Sequence, residues 1–178
     1  MIAQGFTLFA TEIGDCAIAW GEAGIVGVQL PESDADAARA RMHRRFPEAT
    51  EINPPSEAAE AARAIAALLA GEQRDLRDIR LDMRGVPEFH AKVYAVVRTI
   101  PPGQTLTYGQ VAARLNAPGA ARAVGQAMGR NPFAPVVPCH RVTAAGGRMG
   151  GFSAAGGVAA KQKMLAIEGV RPQPGLFD

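Results

Sequence analysis

Hydrophobic positions in the first thirty residues fall in three short runs, 6–10, 16–20 and 25–30, parted by Gly14-Asp15 and by Glu22-Ala23-Gly24. Short apolar runs punctuated by glycine and acidic residues predict strands joined as hairpins. The pattern then changes period. An Ala-rich stretch opened by Ser33 or Asp34 predicts a helix to about Arg45, and a second helix, capped by Ser56 and closed by Gly71, is predicted over 57–70. Asn53-Pro54-Pro55 parts the two, and 78–87 reads as a crossing strand and linker. Between Glu88 and Thr99, Phe89, Val93, Val96 and Val97 recur at helical spacing and place one apolar face on a core. Pro101-Pro102-Gly103 ends that helix. Thr107 then caps a short helix over 108–115, Asn116-Ala117-Pro118-Gly119 supplies a turn, and 120–128 forms another helix. Two short helices around a tight turn have the outline of a helix-turn-helix, a pairing also common in proteins that bind no nucleic acid. The second helix is slim: Ala120, Ala121, Ala123, Gly125 and Ala127 surround a single cation, Arg122. That profile suits close approach to a groove and tight helix packing equally.

These elements predict an α+β protein: an amino-terminal α/β domain over 1–78, a linker over 79–87, and a mostly helical domain with the helix-turn-helix over 88–178. At 178 residues, 48% of them hydrophobic, the chain is long enough to bury a real core. No apolar run approaches the length of a membrane span, and the first nine residues lack the basic start and apolar core of a secretory signal. A cytoplasmic protein away from membranes is therefore expected; it is also expected to be a monomer. Cys16 and Cys139 are the two cysteines, and Cys16 falls in an apolar strand, so a structural disulfide is not expected. The net charge of +2 conceals an asymmetry. Residues 1–78 carry 7 basic against 13 acidic side chains, and residues 79–178 carry 12 against 4. A basic second half suits a polyanionic partner, or simply a solvated basic surface.

Candidate chemistry centres on Pro138-Cys139-His140-Arg141-Val142. A thiolate is the reactive form of cysteine, and a neighbouring imidazole raises its population near neutral pH. Adjacent residues need not have adjacent side chains, however, and buried cysteines are commonly inert small hydrophobes. His43, His90 and His140, with two distant cysteines, offer no zinc spacing, and no P-loop is present, so no metal and no cofactor are expected.

With the Cys-His stretch, six pieces stand in order: Thr107-Tyr108-Gly109-Gln110-Val111-Ala112; Ala121-Arg122-Ala123-Val124-Gly125 with Met128; Asn131-Pro132; the Cys-His stretch itself; Gly156-Gly157; and Lys161 with Leu165 and Glu168-Gly169. Together they resemble the O6-alkylguanine-DNA alkyltransferases, also called methylated-DNA–protein-cysteine methyltransferases. The resemblance is specific over 89–170; residues 1–78 match only in size and element pattern, as expected for the family's variable, ribonuclease H-like amino-terminal domain.

The resemblance implies irreversible, single-use transfer of the alkyl group from O6-alkylguanine in double-stranded DNA to Cys139, with O4-alkylthymine a second candidate substrate. It implies that His140 takes the thiol proton through a water, that Glu168 orients His140, and that Tyr108 donates to the guanine ring nitrogen. Asn131 would bridge the helix-turn-helix to the active-site segment by hydrogen bonds. Arg122 would fill the duplex when the damaged nucleotide rotates out, since the sulfur cannot reach a stacked base. Ala121, Ala123 and Gly125 would let the second helix approach the minor groove, and basic residues would supply salt-dependent phosphate contacts. Val142 and Cys139 would offer carbonyls to the guanine amino group, and Ser153 or Ala155 an amide to its oxygen, with Met128 also in the pocket. The loop departs from the family pattern: Ala154-Ala155 separate Phe152-Ser153 from the two glycines, which bears on pocket width. Two other readings of the residues remain: a lesion-binding adaptor that does not transfer, against which Cys139 argues, and a Cys-His hydrolase that turns over.

Overall fold

In the computed structural model, which describes residues 2–154 and 156–170, the three amino-terminal runs form strands β1 (Gly5–Thr11), β2 (Gly14–Gly21) and β3 (Gly24–Gln29). They pair antiparallel in sequence, with Phe6 opposite Ala19 and Leu8 opposite Ala17. A two-residue strand not anticipated from the sequence, β4 (Thr50–Glu51), adds parallel to β1 and completes the order β3-β2-β1-β4. Helix α1 (Ala35–Arg45) starts where Asp34 accepts a hydrogen bond from the Ala37 amide at 2.8 Å. Helix α2 (Ser56–Leu69) departs from expectation: Ser56 lies inside it and Pro55 stands at the cap with no side-chain bond, because the fixed proline φ already directs the chain into the helix.

Side chains alternate across a strand. Ala17 and Ala19 join Phe6, Val26, Met42 and Phe46 in one core cluster. Cys16, Ile18 and Trp20 point the other way and are buried too, and α2 packs on β1 and β2 with Ala58, Ala61, Ile65 and Leu68 buried. The sheet is thus covered on both faces. The expected crossing strand near 78–87 shrinks to one parallel bridge, Leu81 to Ile25. Its neighbours Arg80, Asp82 and Arg84 are charged, so no alternating apolar face exists to extend it.

The described residues up to 85, with 132–136, form one structural unit; those of 86–131 and of 137–170 form the other. The second unit opens with α3 (Glu88–Val97), where Val93, Tyr94 and Val97 are the buried face while Phe89 and Val96 are only half-buried. Strand β5 (Leu106–Thr107) leads directly into α4 (Tyr108–Arg114), which packs against α5 (Ala121–Gly129). A tight turn, Cys139–Arg141, runs into β6 (Val142–Thr143), and α6 (Gly157–Ile167) is the last helix of the described residues. Among the described residues no helix is long and apolar enough to cross a membrane.

Candidate active site

Two short features bring the reactive residues together. Strands β5 and β6 pair in parallel, Leu106 beside Val142 and Thr107 beside Thr143, so the start of α4 lies next to the segment bearing Cys139. A capping box then fixes where α4 begins: Thr107 Oγ1 accepts from the Gln110 amide at 3.0 Å, and Gln110 Oε1 accepts from the Thr107 amide at 2.8 Å. Tyr108, the next residue, is thereby aimed at the pocket. Gly150 packs directly on its ring: a Cβ there would stand 2.7 Å from the Tyr108 hydroxyl, and its φ of +73° also favours glycine.

Cys139 lies in the tight turn, only 7% exposed. Burial pushes its thiol up, while a hydrogen bond with the Asn131 side chain, the Lys161 charge and nearby backbone amides pull it down. Asn131 also donates from Nδ2 to Val137 O at 2.8 Å, so one side chain braces both ends of the approach to the nucleophile.

His140 is fully buried, and its Nε2 lies 2.7 Å from Glu168 Oε1. The same oxygen accepts from Arg141 Nη2 at 2.7 Å, and Oε2 accepts from Arg141 Nε at 2.9 Å. Arg141 Nη1 donates to Ile100 O at 2.7 Å. One carboxylate thus serves two buried donors. Burial pushes Glu168 up, but its bonds to His140 and Arg141 outweigh burial and bring it to about 2. Burial lowers His140, Glu168 opposes that shift, and the Arg141 and Lys161 charges add to it. His140 Nδ1 is buried with no hydrogen-bond partner in the protein. With Nε2 committed to the carboxylate, Nδ1 is the nitrogen available for proton transfer.

A pocket of about 790 Å³ opens over the thiol, lined by Tyr108, Ala121, Arg122, Gly125, Met128, Cys139, Phe152 and Ser153 among others. Arg122 is exposed at the start of α5. A thiol, a phenol and a guanidinium therefore share one cavity. Groups of three or more potential metal ligands are absent among the described residues.

Residues 88–170 match the family model described as 6-O-methylguanine DNA methyltransferase, DNA binding domain. The chain is 48% identical over 114 residues to the methylated-DNA–protein-cysteine methyltransferase of Mycolicibacterium paratuberculosis, a stretch covering 64% of this chain and 67% of that protein. It is 35% identical over 156 residues to the protein of that name from Methanothermobacter thermautotrophicus, covering 88% and 80%. The chain belongs to the methylated-DNA–protein-cysteine methyltransferase family. Matches to further mycobacterial members span 59% to 64% of their length. The crystal structure of Mycobacterium tuberculosis OGT in complex with DNA superposes with a TM-score of 0.75 at 34% identity, covering 98% of this chain and 99% of that one. The α+β architecture expected from the sequence is that of these family members.

Of the residues singled out in the sequence, Tyr108, Ala121, Arg122, Gly125, Met128, Cys139 and Ser153 line the pocket. His140 and Glu168 stand behind it as a hydrogen-bonded pair, Val142 is fully buried with its carbonyl taken by Lys161, and Ala123 is half-buried on α5. Ala155 lies outside the described residues. Two residues acquire importance only in the structure: Arg141, which shares Glu168 with His140, and Lys161, whose Nζ reaches two carbonyls. A signal for the second was present. Lys161, Met164, Leu165 and Glu168 follow the i, i+3, i+4, i+7 spacing of a buried helix stripe, and charged residues occupy both its ends.

Proposed function

We propose that this protein repairs DNA by moving the alkyl group of O6-alkylguanine onto its own Cys139, once per molecule. Cys139 sits in a cavity shared with Tyr108 and Arg122 and backed by the His140–Glu168 pair, and this arrangement is the observation that carries the reading. The thiol proton passes through one water to His140 Nδ1, and Glu168 on Nε2 holds the ring in the tautomer that receives it. Sulfur then attacks the alkyl carbon. A C–S bond forms, the C–O bond to guanine breaks, and the electron pair leaves on the base, which Tyr108 neutralises by donating its hydroxyl proton to the ring.

Burial pushes the Tyr108 hydroxyl up, with the Cys139 charge adding to the shift, so the phenol holds its proton until a basic leaving group arrives. The damaged nucleotide must leave the stack to reach the sulfur, and Arg122, exposed at the mouth, takes its place in the duplex. Helices α4 and α5 act as the helix-turn-helix, with the slim face of Ala121, Ala123 and Gly125 against the minor groove. The protein works as a monomer on double-stranded DNA.

Mass spectrometry after incubation with a duplex containing O6-methylguanine tests the reading. One methyl group is expected on Cys139, with none on the Cys139→Ala variant, which still binds the duplex. A wild-type protein that binds the duplex yet stays unmethylated supports the adaptor reading instead. Repeated turnover of an ester without loss of activity supports the hydrolase reading.

A further inference from the structure

Lys161 is fully buried, yet it is not among the residues lining the pocket. Its Nζ donates to Val142 O at 2.6 Å and to Gly151 O at 3.3 Å, and it stands 5.8 Å from the centre of the Tyr108 ring. These contacts reach three separate segments. Val142 follows the turn that carries the nucleophile, Gly151 belongs to the loop that walls the pocket, and Tyr108 begins α4. The loop has reason to need fastening. Its backbone bonds Ala144 N to Arg148 O, 2.9 Å, and Gly157 N to Ala154 O, 3.0 Å, close upon the loop itself and do not tie it to the nucleophile or to Tyr108.

Stability alone gives a weak reason for a lysine here. Burial lowers its pKa to about 8, the nearby Cys139 charge opposing that shift. The cost of taking the ammonium out of water offsets much of what its two carbonyl bonds contribute. Methionine fills the same space without charge. The ammonium is therefore better explained by what it holds in place: charge-assisted bonds to two carbonyls, with the aromatic face beside them, fix three parts of one cavity from a single atom.

We propose that Lys161 is a positioning residue for alkyl transfer, joining the pocket loop at Gly151, the segment of Cys139 at Val142 and the ring of Tyr108 so that sulfur, alkyl carbon and proton donor align. The proposal rests on the transfer reading above. Single-turnover transfer from an O6-methylguanine duplex separates its consequences, because burst amplitude counts competent molecules while the rate constant at saturating DNA reports alignment.

In the Lys161→Met variant of the full chain, amplitude and DNA affinity are expected to hold and the melting temperature to fall by a few degrees, since two carbonyls lose a donor, while the rate constant falls by about 10²-fold, the scale of a misplacement near 1 Å. Lys161→Gln, which keeps two N–H donors, is expected to recover part of the rate. Trypsin should also nick after Arg148, exposed in the loop, faster in Lys161→Met than in wild type. A wild-type rate constant in Lys161→Met overturns the proposal. So does a loss confined to amplitude or melting temperature, or failure of both variants to fold, which would make Lys161 a stabilising residue. Equal rate losses in both variants would assign the effect to charge acting on the thiol and overturn placement as its cause. Wild-type protein that gains no methyl group at all overturns the transfer reading first, and this proposal with it.

Discussion

Replacing Glu168 with glutamine should damage stability and chemistry by two separable routes. The carboxylate is 3% exposed at the side chain and accepts from His140 at 2.7 Å and from Arg141 at 2.7 and 2.9 Å. It also caps the C-terminal end of α6, where the helix dipole disfavours a negative charge, so its partners must supply the compensation. Glutamine keeps an acceptor for Arg141 but leaves that buried guanidinium without a counter-charge. Removing one partner of a buried pair costs about 3–5 kcal/mol. The retained amide oxygen places the expectation at about 3 kcal/mol, a large part of the roughly 5–15 kcal/mol that holds a domain folded. Urea unfolding measures it as a lower midpoint.

The chemical route follows from the same geometry. Arg141 donates only and meets both carboxylate oxygens, so in either orientation the glutamine NH₂ opposes one of its N–H groups; with the NH₂ at the Oε1 place it also meets His140 Nε2. The imidazole then accepts at Nε2 and carries its proton on Nδ1, the nitrogen that receives the thiol proton in the proposed relay. A wrong tautomer in a comparable relay costs about 10⁴ in rate. Single-turnover transfer at saturating DNA should show a loss of that order in molecules that remain folded. A Glu168→Gln variant that unfolds at the wild-type midpoint, or transfers at the wild-type rate, refutes the reasoning.

Three more outcomes are expected. Glu168 is held at about 2 in the folded protein against an ordinary value of 4.5, so its contribution to stability is complete above 4.5 and is lost as pH falls through 2. The wild-type urea midpoint should therefore drop across that window, and the difference between wild type and Glu168→Gln should shrink with it; a difference independent of pH counts against the pairing. Arg122→Ala should slow reaction with O6-methylguanine paired in a duplex more than with the free base, and equal losses on the two substrates would remove Arg122 from the flipping step. Tyr94 donates from its buried hydroxyl to Ala127 O at 2.8 Å, and Tyr94→Phe leaves that carbonyl to the Arg130 amide at 3.3 Å, so the lost bond should cost about 0.5–1.5 kcal/mol in urea unfolding. An unchanged midpoint would mean the bond contributes nothing.

The parts of this protein that were legible in the sequence are those set by short-range rules. Asp34, one of the two caps offered with Ser33, starts α1, and Thr107 caps α4, because a side chain reaches an amide three residues away, a geometry independent of the remaining fold. The hairpins of β1 to β3 are local in the same sense. Strand β4 is two residues long and pairs with β1 across more than forty positions, so no local period marks it. Arg141 shows the same limit within the site. Its place beside Cys139-His140 was plain, but its bonds go to Glu168, 27 residues on, and Ile100, 41 residues back. Neither partner follows from sequence spacing, and the sharing of one carboxylate by two donors follows from it still less.

That sharing bears on how the proposed relay, with His140 as acceptor of the thiol proton and Tyr108 as donor to the base, can run to completion. With Glu168 negative, Arg141 positive and His140 neutral, the buried cluster carries no net charge before reaction. Moving the thiol proton to His140 makes the cluster positive while the sulfur beside it becomes negative, so the two charges still compensate. Forming the C–S bond removes the negative one. The imidazolium is then left with Arg141 and Lys161, both of which disfavour it, against a single carboxylate. Overall, however, a thiol and an alkoxypurine become a thioether and a protonated base, and no net charge is created. The proton gained by His140 and the proton given by Tyr108 must therefore be the same in number, and the cluster returns to neutrality only when the phenol is reprotonated from the imidazole side or through solvent in the cavity. On this accounting Arg141 makes His140 a receiver that holds its proton briefly, which suits a relay used once and never reset.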